Sequence, residues 1–202
     1  MAALLFALGL SACQETRQEV EQDVNRYFPL AETVQDQVKL LSIEGADLLK
    51  IVMLVEEKKT DSLLLESPDT AAWARELSWF EEADINEPAL RDLFSISETK
   101  QGDNLLVKRY ERKSRSAAGV QYIEAHYEPV LDELKTLEIL YMETNTMYDA
   151  RRLMRMHFGT DDTGELWLRS FSIDGHQSII FQQDEHFIVE GRVRFPEAVK
   201  LH

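Results

Sequence analysis

Cysteine is nearly missing from this chain. Of 202 residues only Cys13 is a cysteine, which excludes an intramolecular disulfide and any metal site built on several thiolates. The eight glycines are scattered, so no glycine-rich loop is available to cradle a phosphate. No apolar run approaches the roughly twenty residues that a membrane-crossing helix needs. Basic charge is scarce too: 22 Lys and Arg stand against 37 Asp and Glu, a formal net charge of −15. A chain of that charge repels nucleic acid, and no nucleic-acid partner is expected. No stretch of five like charges occurs, which argues against an acidic tail. The Gly-x-Ser-x-Gly elbow that presents a nucleophilic serine is lacking, and Glu56-Glu57 and Glu81-Glu82 read as solvated faces rather than an acid/base pair. No catalytic residue and no cofactor is assigned, and an enzyme is not expected. What is present, 44% hydrophobic and 29% charged residues, suits one globular domain with a sizeable core.

The first thirteen residues carry the most specific signal. Met1–Leu10 is an apolar run of ten, the length of a signal-peptide core, and small Ser11 and Ala12 follow. Leu10-Ser11-Ala12-Cys13 resembles a bacterial lipobox. That resemblance implies cleavage before Cys13 and lipidation of its thiol and new amine. Several acyl chains, each methylene contributing about 0.8 kcal/mol, make a stable anchor where one chain is marginal. Residues 1–12 then form a signal peptide and 13–202 a single α+β domain tethered to the membrane through the lipid at Cys13. Residues 1–12 contain no Lys or Arg, which departs from the signal-peptide pattern and points to a start upstream or a trimmed segment. The alternative is a buried N-terminal helix with an incidental Cys13. Gln14, in place of Asp, resembles the sorting signal for the outer membrane in enteric bacteria, so the expected address is the cell envelope.

Gln14–Leu41 reads as a helix, because Val20, Val24, Tyr27/Phe28, Ala31, Val34, Val38 and Leu41 recur at steps of three and four. Pro29 predicts a kink there, or a second helix that begins with it. Leu48–Val55 and Asp61–Leu65, joined by polar residues, predict a hairpin; a helix through Leu49–Val55 is the competing reading. Asp69 or Thr70 caps a helix over Ala72–Glu82 with Trp73, Leu77 and Phe80 on one stripe. Pro88–Leu93 adds a short turn. From Leu105 the period becomes two. Leu105–Arg112, Val120–Tyr127, Leu134–Glu143, Met147–Phe158, Leu166–Ile173, Ser178–Gln183 and Phe187–Phe195 are candidate strands, with Asp174-Gly175 among the turns. Short connections predict antiparallel pairing. The expected fold is α+β: N-terminal helices packed on one face of a long, curved, half-barrel-like antiparallel sheet.

The stretches YFPLAETVQDQVKLL and WARELSWFEEADINEPAL resemble a group of uncharacterised bacterial envelope lipoproteins. The shared pattern is an aromatic-led helix, a Trp…Glu-Leu…Phe helix, then Ala-Asp-Ile-Asn-x-Pro-x-Leu. The resemblance covers about residues 27–94 and implies no activity and no functional residue.

Asp174-Gly175-His176 and Asp184-Glu185-His186 repeat an acid-then-His pattern. At opposite ends of one hairpin strand they stand about 30 Å apart, and turn chemistry explains both, so no metal site is assigned. Asp161-Asp162-Thr163-Gly164-Glu165 lacks the spacing of a calcium loop and reads as a solvated turn. Lys108, Arg109, Arg112, Lys113 and Arg115, with Arg151, Arg152 and Arg155 later, read as a polar outer face paired with Glu; an anionic-ligand or headgroup patch is the alternative. Met142, Met154, Met156, Trp167, Phe171 and Phe181 are either plain core or the lining of an apolar cavity. Two readings of function follow. The first is a non-enzymatic anchored domain that binds or scaffolds an envelope protein. The second, by analogy of fold, resembles the outer-membrane lipoprotein carrier and receptor proteins, with a lipid ligand held between sheet and helix.

Overall fold

Connections in the second half of the chain are short, so each strand turns back onto the one before it. The computed structural model describes residues 26–102, 105–114, 118–130, 132–161, 163–180 and 183–195. Among these, nine strands make one antiparallel sheet: β1 Asp47–Leu54, β2 Lys59–Leu65, β3 Phe94–Lys100, β4 Leu106–Arg112, β5 Ala118–Glu128, β6 Glu133–Thr144, β7 Tyr148–Thr160, β8 Leu166–Ile179 and β9 Glu185–Arg194. β3 to β9 run as a meander, and the β1–β2 hairpin joins at the far side with β1 against β9. The edges are therefore β2 and β3. The chain that links them carries helix α2 (Thr70–Glu81) and a 3-10 turn at Pro88–Leu90, while α1 (Leu30–Ile43) precedes β1.

Both helices cover one face of the sheet. Leu30, Val34, Val38 and Leu41 of α1 and Trp73, Leu77 and Phe80 of α2 share a cluster with Ile123, Leu137, Ile139, Met154, Phe171 and Ile173. Helical spacing places each set on one stripe, and strand alternation turns the sheet residues toward them. Phe80 and Phe171 meet edge to face at 5.9 Å between centroids. The helix starts follow from local chemistry. Pro29 stands immediately before α1, where its missing N–H costs nothing. Asp69 caps α2 by accepting the Ala72 N–H at 2.8 Å, satisfying one of the orphan donors of the first turn. α1 stops at Gly45, whose φ of 63° is the left-handed conformation that glycine adopts without a Cβ penalty. The expected second helix start at Pro29 and the stripe of Trp73, Leu77 and Phe80 are both found, and β1 is a strand rather than a helix. Gln14–Asn25 lies outside the described residues.

Two strand expectations are corrected. Leu166–Ile173 and Ser178–Gln183 are not separate strands: β8 runs through Asp174 and Gly175 to Ile179. Gly175 is there for packing. Its cross-strand partner is Phe187, and a Cβ at Gly175 would stand 2.2 Å from Phe187 Cζ. The same arrangement recurs with the roles exchanged, Phe171 of β8 lying over Gly191 of β9. The second correction is β3, which the period-two reading passed over. It is an edge strand exposed along nearly its whole length, so no buried face imposes an apolar alternation.

Candidate functional site

On the helix-covered side, Trp79 of α2 divides two clefts. One, of about 220 Å³, is lined by Lys50, Arg75, Glu76, Phe171, Ile173 and Val189 around Trp79. The other, of about 150 Å³, lies among Trp79, Glu82, Tyr141, Arg152 and Met154. Arg152 comes from the buried-face register of β7, where alternation predicts an apolar side chain. Aromatic rings take the place of an apolar environment: its guanidinium carbon lies 4.8 Å from the Trp79 centroid and 5.5 Å from that of Tyr141, a cation–π arrangement. Among the described residues its Nε has no hydrogen-bond partner. The cleft thus presents a guanidinium flanked by two aromatic rings, suited to an anionic or carbonyl group. Lys50 pairs with Glu76 at 2.7 Å and also borders a third hollow, a groove of about 400 Å³ along β1 and β2 lined by Val52, Leu54, Lys59, Asp61 and Leu63. Leu63 is 55% exposed there, on β2, an edge strand among the described residues.

The residues expected at a cavity wall divide. Met154, Met156, Trp167 and Phe171 are all buried in the common core, and of these Phe171 and Met154 also border the two clefts. Met142 does not belong with them. It pairs with Arg151 in the β6–β7 register, and this places it on the face away from the helices. The sequence placed Met142 wrongly because Leu140, Tyr141 and Met142 are consecutive apolar residues, which fix no face. Phe181 and Cys13 lie outside the described residues. No helix among the described residues is long and apolar enough to cross a membrane.

The open face is a polar lattice. Arg109 of β4 pairs with Glu111 at 3.1 Å and with Glu124 of β5, and lies over the Tyr122 ring at 4.0 Å. The Glu111 hydrogen bond is the largest of the causes acting on the Arg109 guanidinium, whose pKa is raised. Arg155 of β7 meets Glu138 of β6 at 2.7 Å, and the Tyr122 hydroxyl donates to Glu138 at 2.7 Å. Burial opposes ionisation of Glu138, but the Tyr122 and Arg155 bonds outweigh it and hold the carboxyl below its usual range. Burial, reinforced by Glu138, pushes Tyr122 up to about 12. Arg112 lies instead on the helix-covered face, over the Phe94 ring, and donates to the carbonyls of Ala118 and Val120; Lys113 donates to that of Asp92. The reading of these cations as a paired outer face therefore holds for Arg109 and Arg155, and Arg112 and Arg152 depart from it by lying on the helix-covered side. Asp161 binds its own turn, accepting from Thr163 N at 2.8 Å and Glu165 N at 3.0 Å, in keeping with a solvated turn.

The two acid-then-His motifs are not far apart. Because β8 continues through Gly175, His176 and His186 are direct cross-strand partners. Their rings stack at 3.8 Å between centroids. Asp174 Oδ1 lies 2.9 Å from His186 Nε2 and 3.7 Å from His176 Nε2. The expected separation rested on a turn at Asp174-Gly175 that the chain does not make. Glu56, on the β1–β2 turn, accepts the His186 backbone N–H at 2.9 Å. That bond, with smaller contributions from the two imidazoles, holds its carboxyl below the ordinary value.

No family model matches the chain, and no curated protein matches it.

Proposed function

We propose that this chain is a lipid-anchored protein of the bacterial cell envelope, attached through Cys13 and targeted to the outer membrane, whose domain works by binding an envelope partner rather than by catalysis. The observation that carries the reading is Leu10-Ser11-Ala12-Cys13 directly behind the apolar run Met1–Leu10. Lipidation at that cysteine tethers the domain by its N-terminus. The surface assigned to the partner is the strip from the β1–β2 groove past Lys50 to the clefts at Trp79. It combines an exposed leucine, the edge strand β2 and flanking charge, the ingredients of a polar-rimmed protein contact. A half-barrel-like curvature of the sheet would set this strip along one rim.

The carrier reading has less support. Met154, Met156, Trp167 and Phe171, its expected lining, are packed with Trp73, Leu77 and Phe80 of α2, and the hollow of about 420 Å³ between α1 and β8 is bordered by none of them but by Asp36, Lys39 and Glu165 among others. Fractionation of a bacterial host that expresses the full chain tests the proposal. With a labelled fatty acid supplied to the host, the chain in the membrane fraction is expected to carry the label and Cys13→Ala is expected to carry none. Equal labelling of both rejects it.

A further inference from the structure

The open face of β8 and β9 holds three metal-ligating side chains that converge. Asp174, His176 and His186 offer ligand atoms that all lie within 4.8 Å of one another. Their convergence is built into the sheet. β8 and β9 are interior strands, flanked by β7 and β1. The cross-strand register sets His176 opposite His186, and alternation puts Asp174 on the same face as His176. Gly175 faces the other way, where its missing side chain admits the Phe187 ring. The packing that makes Gly175 necessary therefore also aims its two neighbours outward together. Backbones fixed by hydrogen bonds on both sides are the rigid support that a metal site needs.

We propose that Asp174, His176 and His186 form a binding site for a divalent first-row transition ion of the Zn²⁺ type. Two imidazoles and one carboxylate are the donor set such ions take, and three protein ligands leave a position for water or an incoming group. His176 is 56% exposed, Asp174 42% and His186 21%, so the ion would face solvent on one side and rest on the sheet on the other. Two acids contribute negative charge: Asp174 itself and Glu56, tied to the His186 backbone. Arg151 stands opposite His176 on β7 and offsets one of them. The ion takes the position between His186 Nε2 and Asp174 Oδ1, now a hydrogen bond of 2.9 Å. The site lies on the face opposite the Trp79 clefts and does not depend on the partner reading.

Calorimetric titration of the tag-free full chain with Zn²⁺, in excess Mg²⁺, tests the site. One saturable site per chain is expected, and His176→Ala and His186→Ala are each expected to weaken it by about tenfold or more, the least that loss of a ligand should cost when outer contacts already cost that much. His126→Ala, on β5, is expected to leave it unchanged. Nitrogen-detected NMR of the unaltered chain gives a readout that needs no variant: the imidazoles of His176 and His186 shift on Zn²⁺ addition while that of His157 does not. Absence of a saturable site, unchanged affinity in a folded His176→Ala/His186→Ala double variant, or shifts confined to other histidines would overturn the proposal.

Discussion

The ring of Phe187 lies over Gly175, its cross-strand partner, so closely that a Cβ at Gly175 would stand 2.2 Å from Phe187 Cζ. Gly175→Ala therefore displaces the ring rather than relieving backbone freedom, since the residue is in ordinary strand. Overpacking of this kind costs about 1–3 kcal/mol. Urea unfolding should show that loss, and Phe187→Leu should recover part of it in the double variant, a positive coupling between contacting residues. Gly191→Ala, beneath Phe171, is expected to behave alike. If Gly175→Ala is neutral, the ring does not rest where described.

Gln37 joins α1 to β8 with both ends of its amide. Its Oε1 accepts the Leu168 N–H at 2.6 Å and its Nε2 donates to the Leu166 carbonyl at 2.8 Å. The β8–β9 pairing stops at Ser170 and Arg192, and the glutamine supplies bonds to the stretch of β8 beyond it. Gln37→Leu keeps the volume and leaves two backbone groups without partners. The expected destabilisation is about 2–4 kcal/mol from the lost pairing, read as a lower midpoint in denaturant unfolding. An unchanged midpoint would mean that water replaces the amide.

Asp161 is held at about 2, below the ordinary 3.8, first by the Thr163 hydroxyl and then by the Glu165 and Thr163 N–H groups. A folded-state value below the unfolded one adds stability above the unfolded pKa, and that stability is lost as pH falls through the folded value. The window is therefore roughly pH 4 down to 2. Carbon-detected NMR should place the Asp161 carboxyl midpoint near the lower limit, and Thr163→Val should move it upward. A midpoint at the ordinary value would show that the turn bonds are not made in solution.

The packing of Met154, Met156, Trp167 and Phe171 against the helices predicts that no lipid travels with the domain non-covalently. Native mass spectrometry of Cys13→Ala, purified without detergent exchange into lipid, should give the mass of the polypeptide alone. A stoichiometric copurified lipid would restore the carrier reading.

Most elements were legible because their burial is one-sided. α2 declares itself through Asp69 and the Trp73, Leu77, Phe80 stripe, and β7 through Met154, Met156 and Phe158. What was hidden shares one cause: a residue whose local signal and tertiary role differ. Asp174-Gly175 has turn chemistry, yet Gly175 answers to Phe187 on another strand. β3 has almost no buried face, so nothing periodic marks it. Arg152 occupies an apolar register because Trp79 and Tyr141 receive it, and those rings come from elsewhere in the chain. The candidate metal site was illegible for the first of these reasons: its residues were visible, but their meeting depends on whether β8 turns or continues.

The anchor is tested most directly by the intact mass of the full chain extracted from host membranes. The account predicts a chain that begins at Cys13, with residues 1–12 removed and acyl mass on the cysteine, and predicts that Cys13→Ala retains residues 1–12 and gains none. An unmodified polypeptide that still carries Met1–Ala12 in the membrane fraction would contradict it.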